Sequence, residues 1–232
     1  MLDLDAVELI QGDFSLSADL HVSQGARVAV IGPSGAGKST LLNAIAGFVD
    51  PQAGQIRWQG RGLDGLAPGQ RPVAMLFQDG NLFPHLDIAR NVGLGLRPTG
   101  RLTREDRAAI AQALDRVGLS GMGDRRPGAL SGGQQSRAAL ARVLMQDRPL
   151  LLLDEPFAAL GPALRADMLD LVARVAEETG ATLLMVSHAP EDARRIADSV
   201  IMVDEGRAAA PVPMEQAFAD PSPAMRRYLG EG

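Results

Sequence analysis

The sequence contains no cysteine, one lysine and few aromatic residues, and these shortages exclude several classes of protein. Without cysteine among 232 residues, disulfide bonds, thiolate metal sites and cysteine nucleophiles are impossible. Aromatic residues make up only 3% and do not alternate with basic residues. The net charge is −5, whereas a nucleic-acid-binding face usually shows as a basic stripe. We therefore expect no nucleic-acid partner.

Long hydrophobic runs are also absent. The longest apolar runs, 150–153 and 181–186, have the length of strands, whereas a membrane span needs about 20 apolar residues. The first residues are acidic and lack the basic and apolar blocks of a signal peptide. We predict a soluble, cytoplasmic protein that contacts a membrane only through a partner.

Short apolar runs alternate with helical patterns, which predicts an α/β fold with a mainly parallel sheet. The runs are fully apolar, as expected of strands buried on both faces. Strands are predicted at 27–31, 73–77, 150–154, 181–187 and 200–203, and helices at about 38–47, 162–178 and 190–197.

One long segment departs from this alternation. Between 91 and 148 the pattern is helical, with helices predicted at 103–117 and 132–145. The first 25 residues and the region 55–59 are expected to add a small antiparallel sheet. We predict one domain over 1–232, in which about 1–90 and 149–232 form the core with a β subdomain and about 91–148 form a helical subdomain.

A glycine-rich loop follows the first predicted core strand and precedes a helix. It fits the pattern G-x-x-x-x-G-K-[ST], whose backbone N–H groups surround phosphates. The residues predicted to bind the nucleotide are Gly32, Pro33, Ser34, Gly35, Ala36, Gly37, Lys38, Ser39 and Thr40. Lys38 is expected to reach the β- and γ-phosphates and Ser39 to ligate Mg²⁺. Because the other 22 basic residues are arginines, the single lysine indicates a site that needs a compact ammonium.

Two carboxylates end the strand at 150–154. Asp154 suits Mg²⁺ coordination, and Glu155 suits a base that polarises an attacking water. A carboxylate pair after a strand is by itself more typical of a turn that caps a helix. The phosphate loop elsewhere in the chain favours the catalytic interpretation.

The segment Leu130-Ser-Gly-Gly-Gln134 opens a helix about twenty residues before Asp154. N-capping alone would explain Ser131. The order of phosphate loop, LSGGQ and acidic strand is more specific, and on these motifs the whole sequence resembles the ABC ATPases. That resemblance implies a P-loop NTPase fold of the ABC nucleotide-binding type that uses ATP and Mg²⁺.

The resemblance also assigns roles to further residues. Ser131, Gly132, Gly133 and Gln134 correspond to the signature, which closes over the γ-phosphate held by a second copy in a head-to-tail dimer. Gln78 is similar to the Q-loop glutamine, which contacts Mg²⁺ or the attacking water and senses the membrane partner. His188 is similar to the switch histidine, which contacts the γ-phosphate. The predicted catalytic set is Glu155, His188 and Gln78, and the metal set is Ser39, Gln78 and Asp154.

Within this family the segments 75–86, 91–96 and 183–188 resemble the ATP-binding subunits of thiamine importers. Importers of iron, sulfate, molybdate or polyamines share much of the pattern and remain alternatives. The resemblance implies a transmembrane permease, a periplasmic solute-binding protein as an indirect partner, and a peripheral location on the cytoplasmic face of the inner membrane. We expect the permease to contact the region 81–96, through apolar residues such as Leu82, Phe83 and Leu86.

Two positions depart from the family pattern. Gly161 stands where the family usually has an aspartate that helps the two ATP sites communicate. No aromatic residue occupies the expected adenine-stacking position, which holds Leu9, Ile10 and Gln11, with Phe14 slightly later.

Two functions of other classes stay open. One is a soluble ABC ATPase of DNA repair or translation, although the sequence has no long coiled coil or basic surface. The other is a regulatory ATP-binding module with weak turnover, which Gly161 keeps open.

Overall fold

The computed structural model describes residues 1–78, 80–99 and 101–230. Within these ranges eleven strands join in one sheet with the order β5-β4-β1-β2-β10-β9-β3-β8-β7-β6, and β11 pairs with β9. The strands are β1 (Leu2–Gln11), β2 (Phe14–Val22), β3 (Arg27–Ile31), β4 (Ala53–Trp58), β5 (Arg61–Gly62), β6 (Val73–Leu76), β7 (Leu150–Asp154), β8 (Thr182–Val186), β9 (Ser199–Asp204), β10 (Arg207–Ala208) and β11 (Val212–Pro213).

Five parallel strands, β9, β3, β8, β7 and β6, form the centre of the molecule. Successive side chains of a strand point to opposite faces, and both faces are covered here. On β7, Leu151 and Leu153 enter one apolar core, whereas Leu150 and Leu152 enter a second core on the other side. Burial on both faces explains why these strands are apolar throughout.

An antiparallel sheet continues from this centre, as expected. β1 pairs with β2 and with β4 in antiparallel register. β2 alternates between buried and exposed residues along its length, which is the pattern of a strand with one solvated face. A bulge between Leu4 and Val7 interrupts the register of β1, and Ala6 there has a positive φ of 45°.

Eight α-helices are described; the five predicted helices agree with five of them to within about two residues, and the helices at Ile88–Gly93, Met214–Ala219 and Pro223–Leu229 were not predicted. They are α1 (Lys38–Ala46), α2 (Ile88–Gly93), α3 (Arg104–Arg116), α4 (Gly132–Leu144), α5 (Pro162–Thr179), α6 (Pro190–Ile196), α7 (Met214–Ala219) and α8 (Pro223–Leu229). α1 packs in the core shared with the antiparallel strands. α2 to α6 contribute to the core on the opposite face of the parallel strands.

The segment between β6 and β7 contains α2, α3 and α4, and its described residues form no strand. Ile88, Ile110, Leu114 and Leu140 bury these helices against one another and against the sheet. None of the described helices is long and apolar enough to cross a membrane.

The carboxyl ends of three neighbouring parallel strands lie at one level. Val30 of β3 pairs with Val186 of β8, and Val186 pairs with Asp154 of β7. Side chains that follow these strands therefore meet at the same edge, which is where ligands bind in open α/β sheets.

Candidate active site

The loop between β3 and α1 closes on this edge of the sheet, and two of its glycines are sterically required. Gly32 has φ 149° and Gly37 has φ 102°. A Cβ on Gly32 would lie 1.9 Å from the carbonyl oxygen of Val203, and a Cβ on Gly37 would lie 2.5 Å from Cζ of Phe14. At Gly32 no larger residue fits without displacing β9. At Gly37 the positive φ favours glycine, and a side chain there would also have to move the ring of Phe14.

α1 begins directly after this loop. Its N-cap, Gly37, has no side chain to bond the helix's first N–H groups, and no acidic residue lies in the first turn. The free N–H groups and the positive end of the helix dipole are therefore left for an anion.

Lys38 is the first residue of α1 and is only 4% exposed. Its Nζ donates hydrogen bonds to the carbonyl oxygens of Gly32, at 2.9 Å, and Pro33, at 2.8 Å. Burial lowers the pKa of Lys38, while the nearby carboxylates of Glu155 and Asp154 oppose that shift. The loop's own carbonyls thus hold the ammonium group at the helix N-terminus.

Ser39 and Asp154 place two oxygen ligands side by side. Ser39 Oγ donates a hydrogen bond of 3.0 Å to Oδ1 of Asp154, which is 9% exposed. Burial raises the pKa of Asp154, and the hydrogen bond from Ser39 works against that rise. A divalent cation would offset the cost of this buried charge, because hard cations prefer hydroxyl and carboxylate oxygens.

The described residues contain no group of three or more His, Cys, Asp or Glu side chains placed to hold a metal. Mg²⁺ does not need such a group, because it is usually bound by one or two protein ligands together with substrate phosphates. The Ser39–Asp154 pair next to the phosphate loop fits that kind of site.

Glu155 and His188 form a second pair, beside the first. Nε2 of His188 lies 2.5 Å from Oε1 of Glu155. Glu155 follows β7 with a positive φ of 46°, and its N–H donates to the carbonyl oxygen of Val186 at 3.2 Å. The side chain of Glu155 therefore turns towards the end of β8, after which His188 follows.

A cleft of about 330 Å³ brings most of these groups together. Its lining consists of Gln11, Phe14, Ser34, Gly35, Gly37, Lys38, Ser39, Thr40, Glu155 and His188. Of the predicted phosphate-loop residues, Gly32, Pro33 and Ala36 shape the loop without lining the cleft. A carboxylate, an imidazole, an ammonium and a helix N-terminus thus face one concave space.

The aromatic residue of this cleft is Phe14, at the start of β2. Leu9 is fully buried in the core, and Ile10 is exposed but does not line the cleft. Gln11 and Phe14 do line it. Gln11 ends β1 and Phe14 begins β2, so the short turn between them brings both residues to the cleft, although Phe14 lies slightly later in the sequence than the expected position.

Gln78 lies apart from the cleft lining. It follows β6, whose Leu76 pairs with Leu153 of β7, and its side chain is exposed. The sheet therefore brings Gln78 to the same edge as Glu155 without placing it in the cleft.

The signature residues occupy the N-terminus of α4 and also lie outside the cleft. Ser131 Oγ accepts from the N–H of Gln134 at 3.3 Å, and Oε1 of Gln134 accepts from the N–H of Ser131 at 2.9 Å. This capping box is the structural explanation that the sequence suggested. Gly132 and Gly133 follow in the first turn, where a Cβ on Gly133 would lie 2.8 Å from a methyl carbon of Leu160.

No sequence motif predicts the contact that Arg142 of α4 makes. Arg142 donates to the carbonyl oxygens of Gly80 and Asn81, both at 2.7 Å, and burial lowers its pKa. A basic residue in the last turn of a helix is usually a solvated residue that favours the dipole. Arg142 instead holds the segment that follows Gln78 against the helix that carries the signature.

Comparison with known proteins gives a consistent set of relatives. A family model described as "ABC transporter" matches residues 16–158. The thiamine import ATP-binding protein ThiQ of Cereibacter sphaeroides is 63% identical over 99% of this chain and 100% of its own length. The protein of the same name from Ruegeria sp. is 58% identical over 99% of this chain and 100% of its own length.

Solved structures agree with these relatives. A dimeric ATP-binding cassette, captured in a post-hydrolysis state with bound ADP and Pi, superimposes with a TM-score of 0.83. It is 29% identical in sequence and covers 92% of this chain and 99% of its own.

Proposed function

This chain belongs to the ABC transporter family, and two relatives that match over their whole length are thiamine import ATP-binding proteins; we propose that it hydrolyses ATP to energise thiamine uptake through a membrane permease. The observation that carries this proposal is the cleft in which Lys38, Ser39, Glu155 and His188 converge. The near-complete coverage of the relatives supports the choice of solute.

ATP binds with its phosphates in the loop. The N–H groups from Gly35 to Lys38 and the N-terminus of α1 receive the phosphate oxygens. The ammonium of Lys38 exchanges the carbonyl oxygens of Gly32 and Pro33 for the β- and γ-phosphates. Because these carbonyls already orient Nζ towards the loop, the exchange needs little movement of the side chain.

Ser39 and Asp154 would hold Mg²⁺, with Gln78 as the further ligand that the sequence predicts. The ion would neutralise charge on the phosphate oxygens. Asp154 must be ionised for this role, and the neighbouring ammonium of Lys38 favours that form.

Glu155 accepts the proton of the attacking water. The water oxygen forms a bond to the γ-phosphorus, the bond from that phosphorus to the β–γ bridging oxygen breaks, and ADP leaves with the bridging oxygen. The proton passes to Glu155, and inorganic phosphate is the second product. His188 pairs with Glu155 at 2.5 Å and lines the same cleft, so we assign it to orient the base and the transferred group.

Phe14 offers its ring to the adenine at the other end of the cleft, and Gln11 lies beside it. Stacking on one aromatic ring contributes on the order of 1 kcal/mol. Phe14 also packs on Gly37, so base binding and the phosphate loop are mechanically linked.

A second copy of the chain completes the site. The residues Ser131 to Gln134 lie outside the cleft of their own copy, yet they present the N-terminus of a 13-residue helix. In a head-to-tail dimer this N-terminus faces the γ-phosphate in the partner's cleft, with which it is electrostatically compatible. The dimeric state of the similar cassette supports this arrangement.

The permease contacts an apolar surface next to Gln78, and the protein sits on the cytoplasmic face of the inner membrane. Phe83 is 46% exposed and Phe48 is 53% exposed. The ring of Phe48 packs edge-on against Phe77, with centroids 5.4 Å apart. Leu82 and Leu86 are partly buried, so the expected surface shifts towards Phe48 and Phe83. A periplasmic solute-binding protein is the indirect partner of this chain. The proposed helical subdomain covers about residues 91–148.

The direct test is ATP hydrolysis by the chain co-purified from membranes with its permease and reconstituted in vesicles. Thiamine-loaded binding protein should raise turnover several-fold, whereas the same protein without thiamine should not. Binding proteins loaded with iron, sulfate, molybdate or a polyamine serve as the matched alternatives.

Each outcome of that test is informative. Stimulation by one of the alternative solutes would replace thiamine and keep the importer function. A protein that binds ATP tightly but does not hydrolyse it in any of these assemblies would contradict the assigned chemistry.

A further inference from the structure

The two residues assigned to hydrolysis come from different backbone segments. Glu155 leads into the segment 156–161 after β7, and His188 belongs to the segment 187–189 before α6. Their side chains lie 2.5 Å apart, so small relative movements of these segments would separate them. Contacts between the two segments must therefore fix their relative positions.

Arg165, in the first turn of α5, contacts the first segment. Its Nη2 donates to the carbonyl oxygens of Ala158, at 3.3 Å, and Leu160, at 3.2 Å. Both carbonyls lie within five residues of Glu155. Arg165 therefore fixes the path of the chain directly after the proposed base.

The same side chain contacts the second segment through Asp192. Nη1 of Arg165 lies 3.8 Å from Oδ2 of Asp192. Oδ2 also accepts a hydrogen bond of 3.3 Å from Ser187 Oγ, and Ser187 Oγ accepts from the N–H of Ala189 at 3.1 Å. Ser187 and Ala189, the two neighbours of His188, are therefore linked by hydrogen bonds to Asp192, which lies next to Arg165.

The position of Arg165 is electrostatically unfavourable for an ordinary surface residue. A cation in the first turn of a helix is disfavoured by the helix dipole, and Gly161, the N-cap of α5, offers no side-chain hydrogen bond. The arginine is partly buried, with its side chain 28% exposed, and it lines a cleft together with Glu155, His188 and Asp192. The two carbonyls accept its hydrogen bonds, and the opposite charge of Asp192 lies 3.8 Å away, which offsets part of the cost of this placement.

We propose that Arg165, through Asp192, is a positioning residue that keeps Glu155 and His188 in register. Gly161 provides no carboxylate in the segment 156–161. The hydrogen bonds from Arg165 to the carbonyls of Ala158 and Leu160 fix the path of that segment instead. The inference rests on the proposed ATP hydrolysis, which gives the Glu155–His188 pair its purpose.

The first test measures ATP hydrolysis by R165Q, D192N and the double variant. Because a displacement of about 1 Å can cost up to roughly 100-fold in rate, we expect a fall of about 10-fold in kcat in each single variant. The KM for ATP should change less than about 2-fold, since the phosphate loop is untouched. The double variant should be no slower than the singles, because both remove one shared linkage. R165K should recover part of the rate.

The chain supplies a matched control for simple helix packing. Arg195 of α6 pairs with Asp170 of α5 at 2.7 Å, so R195Q removes an ion pair between the same two helices on their exposed side. R195Q should keep wild-type kcat. The proposal is overturned if R195Q loses as much rate as R165Q, or if R165Q keeps wild-type kcat.

A spectroscopic measurement separates this inference from the proposed function. The chain has three histidines, so the ring resonances of His188 can be followed by NMR with His21 and His85 as internal references. In R165Q the His188 resonances should shift while the other two stay in place. This result is independent of turnover, so a wild-type protein without ATPase activity would sink the proposed function alone. Unshifted His188 resonances in R165Q would sink the positioning role.

Discussion

At position 38 the phosphate loop accommodates the compact ammonium group of a lysine. The chain uses arginine at 22 positions and lysine only here, and Nζ is enclosed by two loop carbonyls at 2.8 and 2.9 Å. A planar guanidinium needs more space and a different donor geometry. We expect K38R to lower ATP turnover at least about 100-fold, as measured by phosphate release. R148K, at an exposed position, is the control, and normal turnover in K38R would refute the phosphate-loop assignment.

Asp154, the proposed Mg²⁺ ligand, illustrates a residue whose buried charge costs stability. Burial raises its pKa, so in the ligand-free protein the charged carboxylate opposes folding above that raised value, and the penalty disappears at lower pH as the carboxyl becomes protonated. D154N removes the charge and can still accept from Ser39. We expect it to abolish hydrolysis while raising the free energy of unfolding by about 1 kcal/mol at neutral pH.

The gain in D154N should stay constant above the raised pKa and shrink as the pH falls through it towards the ordinary pKa of an aspartate. Thermal unfolding of the ligand-free protein across the acidic range measures this, with the exposed Asp13→Asn as control. A D154N protein that melts below the wild type at neutral pH would show that the carboxylate stabilises the fold instead.

At the scale of elements, Arg71 anchors the end of α1, the helix proposed to bind the phosphates. It is fully buried, and it donates to the carbonyl oxygens of Ala44 and Ile45 in the last turn of α1 and to that of Leu66. Burial lowers the pKa of Arg71, yet these acceptors sit where the negative end of the helix dipole favours a cation.

Replacing this arginine should therefore loosen α1. We expect R71M to lower the free energy of unfolding by about 3 kcal/mol, because three carbonyl groups, two of them in buried hydrogen bonds, lose a charged donor. Denaturant unfolding gives the size of the loss, and faster amide exchange in α1 gives its location. R61M, at an exposed position in β5, should change neither quantity, and an equal effect of both variants would contradict the anchoring role.

Elements with a local signal were predictable from the sequence, and long-range contacts were not. β3, β7 and α4 have the predicted bounds to within a residue, because apolar runs, glycines and caps mark them locally. Arg71 and Arg142 contact carbonyls more than 20 residues away, and nothing in their own neighbourhoods distinguishes them from solvated arginines. Phe14 reaches the cleft through the bulged hairpin of β1 and β2, whose register depends on packing.

At the scale of the whole molecule, the proposed head-to-tail dimer would complete the site, because the signature lies outside the cleft of its own copy. We expect E155Q to bind ATP normally and to stop turnover, since the amide cannot accept the proton. ATP would then hold two copies together. Light scattering after size exclusion should show a dimer with ATP and a monomer with ADP, and wild-type protein is the control. E155Q that stays monomeric with saturating ATP would contradict the head-to-tail arrangement.

The solitary lysine also determines how the protein can be handled chemically. Apart from the α-amino group of the chain, Lys38 is its only amine, and it is 4% exposed. An acylating reagent used sparingly should attach a fluorophore or a surface linker at the chain terminus and spare the nucleotide cleft. A large excess of the reagent should acylate Lys38 as well. Bound ATP should protect Lys38 from acylation, so the yield of the Lys38 adduct would measure how much of the site is occupied by ATP.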